Sequence, residues 1–233
     1  MTEMQSAMQM RSAKRLKIGV LISGRGSNLQ ALIENCAQPD YPAQIVLVIS
    51  SNPDAFGLAA AVKAGIPTKV FQHRKYRTRE EFDGEIDKAL RAAGVELVCL
   101  AGFMRVLTPT FVGAWRDKII NIHPSLLPAF RGLHTHERAL AAGVRFHGCT
   151  VHFVRDELDD GPIVVQAAVP VEPDDDVETL SARVLNAEHR CYPLAVKLIA
   201  LGRVQVVGGR VLIDGVERPD PALIGAPEGV TRH

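Results

Sequence analysis

The sequence predicts an α/β fold: an open, mostly parallel sheet with helices on both faces and an antiparallel extension. Two observations lead to this prediction. As far as residue 123, short apolar runs alternate with helical segments, a pattern typical of parallel strands joined by crossover helices. After Gly148, two apolar runs follow each other with only a short polar loop between them, which indicates an antiparallel pair.

The first half of the chain contains five predicted strands, at residues 17–22, 45–50, 68–71, 96–101 and 118–122. Helices are predicted from Leu29, over residues 55–64 and over residues 78–93. A further helix begins at Thr108, whose hydroxyl can cap it, with Pro109 at the first helical position. This succession of strands and helices is Rossmann-like.

The second half adds strands at residues 149–154 and 163–171. Asp175 and Glu178 resemble a capping pair for a long helix, which Pro193 should kink or divide. The pair Gly208-Gly209 predicts a hairpin between residues 204–207 and 210–213. We therefore expect a flexible N-terminal extension at residues 1–15, one domain at residues 16–218 and a loose tail at residues 219–233.

The composition excludes several classes of protein. The 27 Lys and Arg residues balance 26 Asp and Glu residues without forming a basic stripe, so no nucleic-acid partner is expected. The four cysteines lack the spacing of a disulfide framework or a zinc ribbon. No signal peptide and no apolar run of membrane-spanning length is found. We expect a cytoplasmic protein without a membrane partner, either a monomer or a homodimer.

Ligands of open α/β sheets bind at the carboxyl ends of the strands, and polar residues occupy three such ends. The first group, residues 23–28, joins a strand to a helix through two glycines, and helix N-terminal amides can bind a phosphate. Leu29 replaces the third glycine of a dinucleotide motif, and the P-loop lysine is missing. A single phosphate fits this segment, although an ordinary glycine turn is the alternative.

The second group contains Asn121 and His123, which point to the same face of their strand because they are two residues apart. An amide donor beside an imidazole is typical of acid–base chemistry, although a histidine satisfied by the backbone is the alternative. The third group is the acidic loop at residues 155–162, from which a carboxylate could approach His123, or which could be a solvated turn. The other histidines fit no standard zinc pattern, so we expect no metal.

Several segments resemble one family, the folate-dependent phosphoribosylglycinamide formyltransferases. They are "IGVLISGRGSNLQ" near the start, "LAGFMRVLTPTFV" and "INIHPSLLPAFRGLHTHERAL" in the middle, and "GCTVHFVRDELDDGPIVVQ" and "NAEHRCYPL" towards the end. The resemblance covers residues 17–205. It implies the formyltransferase fold and transfer of the formyl group of 10-formyltetrahydrofolate, the co-substrate, to the amine of glycinamide ribonucleotide, without a metal.

The resemblance also implies roles for individual residues. Asn121, His123 and Asp159 are the expected catalytic residues. The expected phosphate ligands are Gly26, Ser27 and Asn28, and Glu188 is expected to contact the ribose end of the nucleotide. The expected folate-binding residues are Arg79, Met104, Arg105, Val106, Leu107, Asn121, Arg155, Asp156, Glu157, Leu158 and Asp159.

Three alternative functions share parts of this pattern. Formyltetrahydrofolate hydrolase carries a regulatory domain before this core and initiator-tRNA formyltransferase a domain after it, and we expect neither in this chain. A phosphate-sensing module that has lost the reaction is the third. The intact residues Asn121, His123 and Asp159 argue against such a module.

Overall fold

The computed structural model describes residues 14–215. Most of the predicted N-terminal extension (residues 1–13) and the end of the chain (residues 216–233) lie outside the described residues. Two residues that we assigned to the extension contact the domain: Lys14 pairs with Glu96, and the guanidinium of Arg15 donates to the backbone carbonyls of Cys36 and Ala43. Within residues 14–215, no helix is long and apolar enough to span a bilayer.

Seven strands form the main sheet, and the predicted fold class is confirmed. The strand order is β3-β2-β1-β4-β5-β6-β7, in which the first five are parallel and β6 and β7 are antiparallel to their neighbours. The strands are β1 Leu16–Ile22, β2 Ala43–Ser50, β3 Thr68–Val70, β4 Leu97–Leu100, β5 Ile119–His123, β6 Phe146–Phe153 and β7 Ile163–Pro170.

Helices cover both faces of this sheet and thereby bury the central strands on both sides. Leu32 of α1, Val184 of α6 and Val20 of β1 belong to one apolar cluster. Ile86 of α3, Phe111 of α4 and Leu21 of β1 belong to the other, on the opposite face. The helices are α1 Ser27–Cys36, α2 Phe56–Lys63, α3 Arg79–Ala92, α4 Pro109–Ala114, α5 Thr135–Ala141 and α6 Val177–Ala200.

The predicted capping pair of α6 was wrong. Its capping box consists of Asp176 and Thr179, each of which accepts a hydrogen bond from the other's backbone N–H, at 2.8 and 3.0 Å. Asp175 instead forms a bidentate ion pair with Arg183. Pro193 was expected to kink or divide the helix; it does not divide it, since the helix is continuous to Ala200 and buried side chains before and after the proline pack into the same core. A kink at Pro193 stays a prediction.

The predicted hairpin is present as β8 Val204–Val207 and β9 Arg210–Ile213. Its two loop residues, Gly208 and Gly209, both have positive φ angles of 56° and 79°, which a tight turn between right-twisted strands requires. Helix α5 and a short 3₁₀ helix at His73–Lys75 were not predicted. The residue before α5 is His134, in a left-handed conformation without a side-chain cap, so α5 lacks the usual sequence signal of a helix start.

Candidate active site

Asn121 and His123 lie at the carboxyl end of β5, and the loop between β6 and β7 brings Asp159 to them. His123 Nδ1 is 3.4 Å from Asp159 Oδ2, and both side chains are buried. His123 Nε2 lies 3.1 Å from the carbonyl oxygen of Phe130. Because a carbonyl oxygen only accepts hydrogen bonds, Nε2 carries a proton in this arrangement. His123 therefore has the Asp159 carboxylate at one ring nitrogen and the Phe130 carbonyl at the other.

Asp159 is held in an unusual backbone conformation. Its φ angle is +53°, a left-handed value that side-chain-bearing residues rarely adopt. Its Oδ2 accepts a hydrogen bond of 2.9 Å from the backbone N–H of Gly132. The neighbouring Asp160 is exposed and pairs with Arg131, so the two adjacent carboxylates have different surroundings. Of these two carboxylates, Asp159 is the one that faces His123.

A second histidine, His152, belongs to this group and was missed. It lies directly opposite Asn121 in the β5–β6 pair, with Nε2 3.4 Å from Asn121 Nδ2 and 3.8 Å from Asp159 Oδ1. Its Nδ1 lies 3.0 Å from the carbonyl oxygen of Phe153, so Nδ1 carries the proton and Nε2 accepts from Asn121. Burial lowers the pKa of His152, which favours this neutral form. The alternation of β6 could have revealed His152, but only with the strand register known.

The other histidines are not arranged as metal ligands. The rings of His136 and His147 meet edge to face at 5.2 Å, and burial, followed by the nearby His136 and His123, lowers the pKa of His147 to about 4. His134 is exposed. Among residues 14–215, no group of three or more His, Cys, Asp or Glu residues could hold a metal ion.

The predicted phosphate segment follows β1 and forms the start of α1. Gly26 is the N-cap of α1 with a φ angle of +76°, and a Cβ atom there would lie 2.5 Å from the Cα of Gly57. Only glycine therefore allows the two segments to approach this closely. The helix begins at Ser27, which leaves backbone N–H groups without helical partners at this end.

Asn28 joins this segment to Glu188 on α6. Asn28 Nδ2 donates a hydrogen bond of 2.7 Å to Glu188 Oε2, although the two residues are 160 positions apart in sequence. Burial raises the pKa of Glu188 from 4.5 to about 7, while the hydrogen bond from Asn28 opposes this rise. A carboxyl group is therefore buried beside the candidate phosphate site, at an energetic cost to the fold.

Four of the predicted folate-binding residues line one cavity, and two of them also line a second cavity next to it. A cavity of about 420 Å³ is lined by Arg79, Met104, Arg105 and Val106, together with His73, Tyr76, Arg77, Thr78 and Phe82. An adjacent cavity of about 480 Å³ shares Met104 and Arg105 and extends to Ser23 and Asp54. Among the described residues, none of the arginines lining the two cavities forms an ion pair. The 420 Å³ cavity has no carboxylate in its lining and therefore favours anionic groups.

Five other predicted folate-binding residues, at positions 107 and 155–158, do not line these two cavities. Leu107 is buried in the apolar cluster that contains Ile86 of α3 and Phe111 of α4, and it does not line either of these two cavities. The guanidinium of Arg155 pairs with Asp117 and donates to the carbonyl of Val154. Leu158 is 60% exposed, and Asp156 and Glu157 are also exposed. Their roles stay predictions.

Comparisons with known proteins agree with this geometry. The formyl transferase family matches residues 16–196. Phosphoribosylglycinamide formyltransferase of Haemophilus influenzae is 45% identical over 203 residues, which cover 87% of this chain and 96% of that protein. The corresponding protein of Escherichia coli K12 is 44% identical over 204 residues, covering 88% of this chain and 96% of that protein. The human trifunctional purine biosynthetic protein adenosine-3 is 52% identical over 83% of this chain, but the match covers only 19% of that longer protein.

Solved structures give the same result. Glycinamide ribonucleotide transformylase 1 of Symbiobacterium toebii has a TM-score of 0.84 and 48% identity, covering 85% of this chain and 94% of that one. Formyltetrahydrofolate deformylase of Burkholderia mallei has a TM-score of 0.79 and 31% identity, covering 86% of this chain and 70% of that one. Because the family match includes most of the chain and full-length relatives are more than 40% identical, the chain belongs to the formyl transferase family, among the phosphoribosylglycinamide formyltransferases.

Proposed function

We propose that this protein transfers the formyl group of 10-formyltetrahydrofolate to the amine of glycinamide ribonucleotide, which gives N-formylglycinamide ribonucleotide and tetrahydrofolate. The observation that carries this proposal is the convergence of Asn121, His123 and Asp159 at the end of β5. A candidate phosphate site at Gly26–Asn28 and a cation-lined cavity at Arg79 and Arg105 complete the set.

The nucleotide binds at the start of α1 in this proposal. Backbone N–H groups of Gly26, Ser27 and Asn28 bind its phosphate, because the helix N-terminus favours an anion. The carboxylate of Glu188, already joined to Asn28, accepts hydrogen bonds from the ribose hydroxyls. Leu29 replaces the third glycine of a dinucleotide motif, and the P-loop lysine is missing, so a single phosphate is the expected ligand.

The folate binds between the segment at Met104–Val106 and the loop before β7. Met104 and Val106 are 68% and 62% exposed, and they provide apolar surface for the ring system. Arg79 and Arg105 line the same cavity, and their guanidinium groups suit the carboxylates of the glutamate portion of the folate. Arg155, Asp156, Glu157 and Leu158 contribute through the loop backbone, as the family resemblance implies.

In the reaction, the glycinamide amine attacks the formyl carbon, and negative charge develops on the formyl oxygen. Asn121 donates a hydrogen bond to that oxygen, since its amide is oriented by the acceptor nitrogen of His152. The imidazolium of His123 adds positive charge beside the same oxygen, with Asp159 as its counter-ion. Asp159 also relays a proton, through water, from the amine to the departing folate nitrogen as the carbon–nitrogen bond breaks.

The hydrolase is the second candidate, since the Burkholderia mallei deformylase shares the fold at 31% identity. Water instead of an amine would then attack the formyl carbon. Formation of tetrahydrofolate, followed by absorbance with and without glycinamide ribonucleotide, separates the two reactions. Dependence on the nucleotide supports the transferase, nucleotide-independent turnover selects the hydrolase, and no turnover at all selects the phosphate-sensing module.

Adjacent carboxylates provide a matched pair of variants for the same assay. Asp159→Asn removes the carboxylate that faces His123, so kcat should fall roughly 10²-fold or more with a much smaller change in nucleotide KM. Asp160→Asn removes an exposed carboxylate that pairs only with Arg131, and its kcat should stay within about twofold of the wild type. Equal kcat values for the two variants would refute the assignment of Asp159.

The cellular location, the partners and the oligomeric state of the enzyme are also part of the proposal. We expect a cytoplasmic enzyme, without metal, nucleic-acid or membrane partners, that is a monomer or a homodimer. Metal analysis of the purified active enzyme tests the expected absence of a metal, and sedimentation over a range of concentrations tests the oligomeric state.

A further inference from the structure

Asp83 is a buried acidic residue that has no part in the proposed reaction. It lies on α3, its residue surface is only 3% exposed, and no described cation lies within ion-pair distance of it. Burial raises the pKa of Asp83, and hydrogen bonds from Thr108 oppose this rise. A buried carboxylate with a single polar partner is costly, so the contact with that partner needs an explanation.

The partner is the backbone of a loop that borders the folate cavity. The N–H of Thr108 donates a hydrogen bond of 2.7 Å to Asp83 Oδ2. Thr108 is also the N-cap of α4, where its own hydroxyl accepts from the N–H of Phe111. At the other end of the loop, the N–H of Met104 donates to Ser23 Oγ at 2.9 Å. The loop between β4 and α4 is therefore fixed at two points.

Between these two points the loop supplies one wall of the cavity, through Met104, Arg105 and Val106. Helix α3 supplies a second wall, through Arg79 and Phe82. Asp83 does not line the cavity itself, but it directly follows Phe82 and lies one helical turn after Arg79. Its hydrogen bond to Thr108 thus connects the two walls.

We propose that Asp83 is a positioning residue for the folate, which sets the distance between Arg79 on α3 and the Met104–Val106 segment. This inference rests on the proposed function, because it takes the cavity to be the folate site. Losing the hydrogen bond from Thr108 frees the loop at one end, so folate binding must then supply the cost of ordering it. The nucleotide site at Gly26–Asn28 does not depend on this contact.

Asp87 provides the control, since it joins the same two helices farther from the cavity. It lies one turn after Asp83 on α3, and its Oδ1 accepts a hydrogen bond of 2.8 Å from Trp115 Nε1 at the end of α4. It also pairs with Arg91. Neither Asp87 nor Trp115 lines either cavity. Loss of Asp87 therefore loosens α3 against α4 without freeing the cavity loop.

The test compares Asp83→Ala with Asp87→Ala, each shown to be folded by urea unfolding. Calorimetric titration with tetrahydrofolate gives Kd, and initial rates give kcat and the two KM values. We expect Asp83→Ala to raise the folate Kd and KM roughly tenfold or more, with nucleotide KM changed less than about twofold. Asp87→Ala should leave the folate Kd within about twofold of the wild type. Asp83→Asn should retain most of the affinity, because its amide oxygen can still accept from Thr108.

The outcomes separate this inference from the proposed function. A wild-type protein without affinity for tetrahydrofolate would overturn both. If the wild type binds tetrahydrofolate and Asp83→Ala binds it equally well, or if Asp87→Ala weakens binding as much, only the positioning role is refuted. Should Asp83→Ala fail to fold, Asp83→Leu fills the space while removing the acceptor, and the same criteria apply to it.

Discussion

The buried carboxyl group of Glu188 should make the stability of this protein depend on pH in an unusual direction. Its pKa in the folded protein is raised from 4.5 to about 7, mainly by burial. Between these two values the folded state binds a proton that the unfolded state releases, so the proton stabilises the fold. This contribution is complete below pH 4.5 and is lost as pH rises through about 7.

The size of the effect follows from the change in proton affinity. At about 1.4 kcal/mol per tenfold change, the rise of the pKa from 4.5 to about 7 corresponds to about 3 kcal/mol. Glu188→Gln removes the charge but keeps an oxygen that accepts from Asn28 Nδ2. The variant should therefore match the wild type near pH 5 and exceed its free energy of unfolding by about 3 kcal/mol near pH 9.

Urea unfolding of both proteins without ligand, from about pH 5 to about pH 9, measures this difference. Glu178→Gln is the matched control, because Glu178 lies exposed on the same helix, and its difference from wild type should stay below about 0.5 kcal/mol at every pH. Parallel curves for wild type and Glu188→Gln would refute the reasoning. In the proposed function, this buried acid is the acceptor for the ribose hydroxyls of the nucleotide.

Two further substitutions test local features of the fold. Gly26→Ala should lower the free energy of unfolding by about 1–3 kcal/mol, because φ is +76° and the new Cβ would lie 2.5 Å from the Cα of Gly57. Gly24→Ala is the control, because a Cβ atom there would meet open space. Thermal unfolding of both variants measures the difference. The ion pair with Arg183 holds the pKa of Asp175 at about 2, below its usual 3.8, so this carboxylate stabilises the fold above pH 3.8 and loses that effect as pH falls through about 2. Asp175→Asn should reduce this dependence in acid unfolding curves, and an unchanged curve would contradict it.

The strands of the main sheet could be predicted from the sequence, because buried parallel strands are continuous apolar runs with polar residues at their ends. The run at residues 118–122 therefore predicted strand β5, whose carboxyl end carries Asn121 and His123. Residues whose position depends on strand register could not be found in this way. His152 faces Asn121 only because β6 pairs with β5 in one register, and a shift by one residue would turn its side chain to the other face.

Tertiary packing explains the other differences. Pro193 predicted a kink or a division of α6, since proline lacks the N–H that a helix uses, but the helix is not divided, because the core on both sides of the proline overrides local propensity. Leu107 follows exposed residues of the cavity loop, but its own side chain is buried in the core, and its folate contact stays a prediction. Burial of a single side chain within a loop leaves no periodic signal in the sequence.

The continuity of α6 through Pro193 has a consequence for the active site. Glu188 and Tyr192 are four residues apart and so lie on one face of the helix. Glu188 accepts from Asn28 at the start of α1, while the hydroxyl of Tyr192 lies 2.8 Å from the carbonyl oxygen of Leu100 and 3.3 Å from that of Ile120. Because the Ile120 carbonyl belongs to the peptide bond that leads into Asn121, a single helix is tied both to the candidate phosphate segment and to the strand that carries Asn121. An interruption at Pro193 would leave Glu188 and Tyr192 before the break, but it would remove the packing of Ala195 and Val196 that holds this face against the sheet.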